Sequence, residues 1–362
     1  MNKETKVLFL LLRAGLWERD VEDLSPFPLT GESWNTVFLL ARQQTVTGIV
    51  YRGLCHLPDE LFPPQPLLLK WVVAVDAIER RNHKMNEELA SLYGRLSQNG
   101  LRPLLQKGQG VAAFYEKPEV RECGDIDLCF SSQKESQQAA REILGQRKSV
   151  RRAADNSFCY MWNGIEVEHH STLVYIANPM MQRYLRSLER QNPPRSLRLG
   201  NGGADIPVPS PLLNLLMLNT HIMKHTFGWG IGLRQLCDMA RACHALHGEV
   251  QADEMRAACQ KLGIVRWTRL LHTFLVDSLG LPAGSQPYED APLSPSPLLA
   301  IVLDGGNFGQ YQVGRAQGAQ AVWRRKVGTS RSFFQRIGFS CSYAPVEAFW
   351  TFTSLLKGQF RC

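Results

Sequence analysis

The sequence predicts a small mixed α/β (α+β) core set between two helical regions. Three observations carry that expectation. Residues 125–128 read Asp-Ile-Asp-Leu within a short apolar run, Asn163-Gly164 joins two candidate strands, and helical periodicity fills the chain on either side. The implied divisions are an N-terminal helical region (1–100), an α/β core (101–210) and a C-terminal helical region with a basic tail (211–362). A chain of 362 residues is long enough to bury a core in each part.

Taken in order, Ser33-Trp34 opens a helix with Val37, Leu40, Ala41 and Val46 at helical spacing. A second runs from about Leu67 to Gln98, with Val72, Val75, Ile78, Met85, Leu89 and Leu92 as its apolar positions, and Asn99-Gly100 is a helix stop. The pattern then changes. Leu101–Gln106 is apolar enough for a strand, Lys107–Gly110 is a turn, and Val111–Tyr115 is a short helix that Pro118 curtails. Asp125–Phe130 is the next strand and Gln133–Leu144 a helix. Ser157–Trp162 and Ile165–His170 form a hairpin about Asn163-Gly164, because that dipeptide adopts the positive φ values of a two-residue turn. Gln191–Pro211, rich in Pro, Gly and Asn, reads as a loop. Helices follow at Leu212–Phe227, Leu233–His247, Ala252–Leu262 and Arg266–Ser278, then a Pro/Ser-rich loop at 281–297 and an amphipathic helix at Pro345–Leu356.

Composition excludes extremes. With 44% hydrophobic and 20% charged residues the chain is neither disordered nor fibrous. Its net charge of +8 suits an anionic partner, and the excess is concentrated late: eight Lys and Arg against Glu347 alone from Arg315 onward. That basic stretch is either a solvated face or a contact for an anionic partner. The nine cysteines lack any CxxC pair, which favours reduced thiols. No apolar stretch approaches the ~20 residues that span a bilayer, and the first residues do not form a signal peptide, so a soluble cytoplasmic protein is expected.

The chemistry concentrates on Asp125 and Asp127. In a strand their side chains leave the same face while Ile126 and Leu128 take the other. Two adjacent carboxylates repel unless a cation lies between them. Mg²⁺ is the natural candidate, with Mn²⁺ as a substitute, since such ions take carboxylate oxygens together with substrate phosphates. Glu166 and Glu168 share a face of the second hairpin strand, and either can complete the set if that strand lies beside the first. Two ions so held stabilise the attacking and leaving oxygens of a phosphoryl displacement. Lys107-Gly108 ends a strand at the mouth of a helix, where a glycine admits a phosphate and the lysine adds charge.

Rival patterns are weaker. Gly108–Ala113 satisfies G-x-G-x-x-A, but Pro118 cuts the helix short and the acids open the next strand rather than close it. His221 and His225 have zinc spacing, yet Ile222 stands where a metalloprotease has its glutamate base. Arg234 and Asp238, also i and i+4, form an intrahelical ion pair before Arg234 is a phosphate contact.

These segments together resemble an uncharacterised bacterial nucleotidyltransferase family within the DNA polymerase β-like superfamily. The resemblance rests on Leu104-Leu105-Gln106-Lys107-Gly108, on Arg121-Glu122-Cys123-Gly124-Asp125-Ile126-Asp127-Leu128, on Glu168-His169-His170, and on His221, Lys224, His225 followed by Leu233-Arg234-Gln235-Leu236-Cys237-Asp238. It extends over roughly residues 1–245. Two departures stand out: the superfamily's Gly-Ser turn is Lys107-Gly108, and Ser171 occupies a position usually held by Trp in this group.

The resemblance implies a nucleotidyltransferase that uses Mg²⁺ and a nucleoside triphosphate. Asp125, Asp127 and Glu168 would hold metal, and Glu168 would serve as base. Lys107, Gly108, Arg121, Lys224 and Arg234 are the candidates for nucleotide contact. The acceptor, whether small molecule, protein or RNA, is not legible. The competing expectation is a non-catalytic module that binds a nucleotide, RNA or protein on the same fold.

Overall fold

The computed structural model describes residues 1–145, 151–152, 157–199, 205–228, 230–305 and 336–360. Its elements follow from local signals. Helix α1 (Lys3–Trp17) starts where the Asn2 side chain accepts from the Thr5 amide at 2.9 Å, and α2 (Gly31–Gln43) is capped likewise by Thr30. Helix α3 (Thr47–Leu54) crosses α1 so closely that a Cβ on Gly53 would lie 1.8 Å from the Leu11 carbonyl oxygen. The long α4 (Gln65–Gln98) ends at Asn99-Gly100, where Gly100 has φ +73°.

Next come β1 (Leu104–Leu105), the short α5 (Gln109–Ala112), β2 (Asp125–Cys129) and α6 (Gln133–Leu144), which the Ser132 hydroxyl caps. The sheet is completed by β3 (Arg151–Arg152), β4 (Phe158–Trp162) and β5 (Ile165–His170). Its order is β1-β2-β5-β4-β3, with β2 and β5 parallel and every other pair antiparallel. The β4–β5 hairpin turns at Asn163-Gly164, both at positive φ as that turn requires. This is the small mixed sheet in a mostly helical chain that the sequence predicts.

Helix α7 (Gln182–Gln191) then leads to β6 (Arg195–Arg198) and β7 (Asp205–Val208), a separate two-stranded pair. The stretch 191–211, read as loop from its Pro and Gly content, thus holds a hairpin. The first strand expected, Leu101–Gln106, narrows to two paired residues. Helices α8 (Pro211–Phe227), α9 (Leu233–Ala245), α10 (Ala252–Leu262), α11 (Val265–Leu279), α12 (Ser296–Gly305), α13 (336–343) and α14 (Pro345–Phe360) follow.

Two buried clusters organise these elements. The larger joins helices from both ends of the chain, with Leu8, Trp34 and Trp71 packed in the same core as Leu216, Trp267 and Phe274. The smaller lies on one face of the sheet and takes Ile126, Leu128 and Val167 with Leu89, Leu92 and Leu96 of α4. Helix α4 therefore enters both. No helix among the described residues is long and apolar enough to cross a membrane. Of the basic residues from Arg315 onward only Arg336 has a described side chain, buried with its guanidinium donating to the Thr226 carbonyl at 3.4 Å; the rest of that expectation lies outside the described residues. The eight cysteines among the described residues are free thiols.

Candidate active site

Alternation sets the site. Ile126 and Leu128 of β2 face the sheet core with Val167 and His169 of β5, which leaves Asp125 and Asp127 on the opposite face with Glu166, Glu168 and His170. The parallel register pairs Asp125 with Glu166 and Asp127 with Glu168. The register thereby answers which glutamate stands beside which aspartate. Glu168 lines the cavity that Asp125 and Asp127 open onto, a space of about 570 Å³, whereas Glu166 is not among its walls.

The three side chains Asp127, Glu168 and His170 each offer a ligand atom, all within 4.8 Å of one another. His170 Nε2 lies 2.8 Å from Asp127 Oδ1 and 3.6 Å from Glu168 Oε2. Lys107 Nζ lies 3.1 Å from Asp127 Oδ1. Asp127 is nearly sealed from solvent, and burial alone would raise its pKa; Lys107 and His170 outweigh that and hold it well below the usual carboxylate range. The Asp127 charge, with burial adding, pushes Asp125 up to about 6. Burial acts against the Lys107 ammonium too, but Asp127 and Asp125 keep it charged.

This donor set suits a divalent ion. Asp125 and Asp127 repel, and a cation relieves them. Two carboxylates within a few ångströms match the oxygen ligands that Mg²⁺ takes at ~2.1 Å. The imidazole adds a nitrogen, a donor that first-row transition ions accept more readily than Mg²⁺ does.

Behind Asp125 stands a pinned loop. Gly108 has φ +56°, and a Cβ there would meet the Asp125 carbonyl oxygen at 3.2 Å, so this turn needs glycine for both reasons. Arg81 of α4 donates to the Cys123 and Gly124 carbonyls at 3.2 and 2.8 Å, and Arg234 of α9 donates to the Glu122 carbonyl at 2.7 Å. Both arginines also line the large cavity. The Glu122 carboxylate accepts from the Thr47 amide at 2.8 Å, the first turn of α3, where a negative charge is favoured.

The nucleotide-contact candidates are not equivalent in this geometry. Lys107, Gly108 and Arg234 line the cavity with the aspartates. Arg121 lines it too, but its Nε and Nη2 grip the two oxygens of Asp238 at 2.7 and 2.6 Å, and its Nη1 lies 2.8 Å from the Cys123 sulfur. Tyr115 donates its hydroxyl to the same carboxylate at 2.7 Å. Arg121 therefore serves the structure: Asp238 pairs across the chain with it, not simply with Arg234 one turn away as the spacing suggests. Lys224 lies apart, its Nζ 4.3 Å from the centre of the Tyr175 ring, in the wall of a second cavity.

His221 and His225 stack edge to face at 4.4 Å between the two cavities. Burial, with Lys107 adding to it, lowers His221 well below the normal imidazole range, and burial brings His225 to about 3. Both are neutral. Sequence reasoning missed Arg81, which nothing local separates from Arg80, and did not place His170 among the ligands. The period-two spacing from Glu168 was the available signal for His170.

A family model described as uncharacterised nucleotidyltransferase matches residues 30–277. Among solved structures, an antigenic nucleotidyltransferase-like protein from Paracoccidioides brasiliensis is similar at 12% identity and a TM-score of 0.31, over 53% of this chain and 90% of that one. The search of curated proteins returned no match.

Proposed function

The chain belongs to the family of uncharacterised nucleotidyltransferases, and from that premise we propose that it is a Mg²⁺-dependent enzyme, with Mn²⁺ as a substitute ion. It moves a nucleoside monophosphate from a nucleoside triphosphate to an acceptor and releases pyrophosphate. The observation that carries this reading is the β2–β5 register, which sets Glu168 beside Asp127 at the edge of a cavity lined by Lys107, Arg81 and Arg234.

Asp125, Asp127 and Glu168, with His170, are the residues that would hold the ion. Bound there, it supplies charge neutralisation at the transferred phosphate. Lys107 adds a fixed positive charge beside Asp127, and the Gly108 turn lets backbone approach the phosphates. Arg81 and Arg234 extend the positive field along the cavity wall. Glu168 accepts the proton from the attacking acceptor, a role its hydrogen bond from the Ser157 hydroxyl at 2.7 Å already rehearses.

The test is calorimetric titration of Mg²⁺ and each of ATP, GTP, CTP and UTP into wild type and into Asp125→Ala/Asp127→Ala, followed by pyrophosphate release with cell extract as acceptor source. Metal-dependent nucleotide binding and pyrophosphate release in wild type, both lost in the double variant, are expected. Equal nucleotide affinity in the two proteins, independent of metal, would sink the catalytic reading.

A further inference from the structure

A second cavity of about 290 Å³ adjoins the first. The two share Lys107, Glu168, His221 and His225 in their walls. Their remaining chemistry differs. The larger alone carries Asp125, Asp127 and the arginines, while the smaller alone carries Lys224 and the hydroxyls of Ser157, Ser171, Thr172 and Thr220. Glu168 stands in both walls, and its two oxygens meet residues of the smaller one: Oε1 accepts from Ser157, and Oε2 lies 3.6 Å from His170 Nε2.

We propose that the smaller cavity seats the acceptor, and that the acceptor is a small alcohol bearing a phosphate or carboxylate group. This rests on the nucleotidyl-transfer reading above. Size separates the cavities, since pockets for small organic ligands run from ~300 to 1,000 Å³, and one of about 290 Å³ takes a compact molecule rather than a second nucleotide. Charge selects the class. Among the described residues of this wall Glu168 is the one acid, beside Lys107 and Lys224, so an anionic group is favoured and a cationic acceptor is repelled. The Lys224 ammonium sits over the Tyr175 face, which holds it in the cavity wall. Hydroxyl side chains provide both donors and acceptors for the polyol part.

The chemistry balances at Glu168. The acceptor hydroxyl takes the hydrogen-bonding place beside Glu168 that Ser157 occupies. Its oxygen attacks the α-phosphorus, a new P–O bond forms, and the bond to pyrophosphate breaks with the electron pair leaving on pyrophosphate. The hydroxyl proton passes to Glu168.

The experiment titrates four probes into the full chain with Mg²⁺ and a non-hydrolysable ATP analogue present: glycerol 3-phosphate, glycerate, glycerol and ethanolamine. The two anionic alcohols are expected to bind at least tenfold tighter than glycerol or ethanolamine. Lys224→Ala should lose that preference at least tenfold, and Ser171→Phe should exclude the probes by filling the cavity mouth. Binding of the ATP analogue should stay within twofold in both variants, which also reports that they are folded. Absence of probe binding while the nucleotide still binds overturns the acceptor proposal and leaves the transfer reading standing. Equal loss of nucleotide affinity in Lys224→Ala assigns Lys224 to the triphosphate and overturns it as well. Transfer of label from [α-³²P]ATP in lysate to protein or RNA, with none on small molecules, does the same. Failure of the ATP, GTP, CTP and UTP analogues alike to bind wild type defeats the parent reading instead.

Discussion

Asp238→Asn tests the buried anchor behind the acidic strand. In the native protein both side chains of the Arg121–Asp238 pair are about 5% exposed or less, and two hydrogen bonds of 2.7 and 2.6 Å join them. Tyr115 adds a third to the same carboxylate. Removing one charge leaves the Arg121 guanidinium buried without a counter-ion, a change that costs ~3–5 kcal/mol when the partner is lost outright. The amide keeps the shape and one acceptor oxygen, so about 3 kcal/mol is expected, a large part of the ~5–15 kcal/mol that holds a typical domain folded. Urea denaturation followed by tryptophan fluorescence measures it. Asp76→Asn is the control, because Asp76 pairs with Arg80 at the surface, with side chains 50% and 71% exposed, and such pairs contribute ~0–1 kcal/mol. A loss in Asp238→Asn no greater than in the control would refute the anchoring role and return Arg121 to the nucleotide ligands. Arg121→Met/Asp238→Leu should recover much of the loss, since an apolar pair leaves no charge unpaired.

Helix packing gives a contrasting pair of glycines. Gly53→Ala places a Cβ 1.8 Å from the Leu11 carbonyl oxygen, and the overpacking should lower stability by ~1–3 kcal/mol or more. Gly94→Ala, in the interior of α4 with nothing within 4 Å, should raise it by ~0.5–1 kcal/mol; thermal melts of both variants check the sign. The acidic pair predicts a pH effect. Asp125 is pushed from 3.8 up to about 6, so the folded state keeps a proton that the unfolded chain gives up across that window; the destabilisation of the metal-free fold grows as pH rises from 3.8 to about 6 and is full above it. Asp125→Asn should therefore raise the melting temperature most at pH 8, progressively less as pH falls from about 6, and little below 3.8, and should lose its advantage when Mg²⁺ is added to both proteins. Mn²⁺ bound to wild type should show nitrogen coupling from His170 in pulsed electron paramagnetic resonance, and His170→Asn should abolish it and weaken Mn²⁺ more than Mg²⁺.

Much of this was legible because it is local. Alternation in Asp125–Leu128, the Asn163-Gly164 turn and the apolar period of Gln133–Leu144 each act within a few residues, and the corresponding elements form where the sequence puts them. The β6–β7 hairpin was hidden because Pro194, Pro207 and the glycines between them mask its alternation. Helix α7 gave little signal, since only Leu185 and Leu188 of its ten residues are buried. The role of Arg121 was out of reach for another reason: its partner lies 117 positions away, and a buried ion pair leaves no mark in the spacing of either residue. The same limit hid the shared core of the helices before and after the sheet.

The shared core explains how the acidic strand is positioned. Helix α4 anchors Leu67, Trp71 and Val75 in the helical core and Met85, Leu89, Leu92 and Leu96 in the sheet core. Between these stretches, at Arg81 and Asn82, it meets the segment that leads into β2. Asn82 donates to the Glu119 and Arg121 carbonyls at 2.6 and 2.8 Å, and Arg81 to those of Cys123 and Gly124. Gln109 extends the brace, donating to Asn86 at 2.6 Å while accepting from the Cys123 thiol at 2.8 Å. Each of these bonds contributes only ~1 kcal/mol net, but leaving buried carbonyls unpaired costs ~1–3 kcal/mol apiece, so the segment has one well-satisfied arrangement. Asp125 follows directly from it. Two repelling carboxylates would otherwise spread apart; a strand entered from a loop fixed between two cores holds them together, ready for a cation, at the cost in repulsion that raises Asp125.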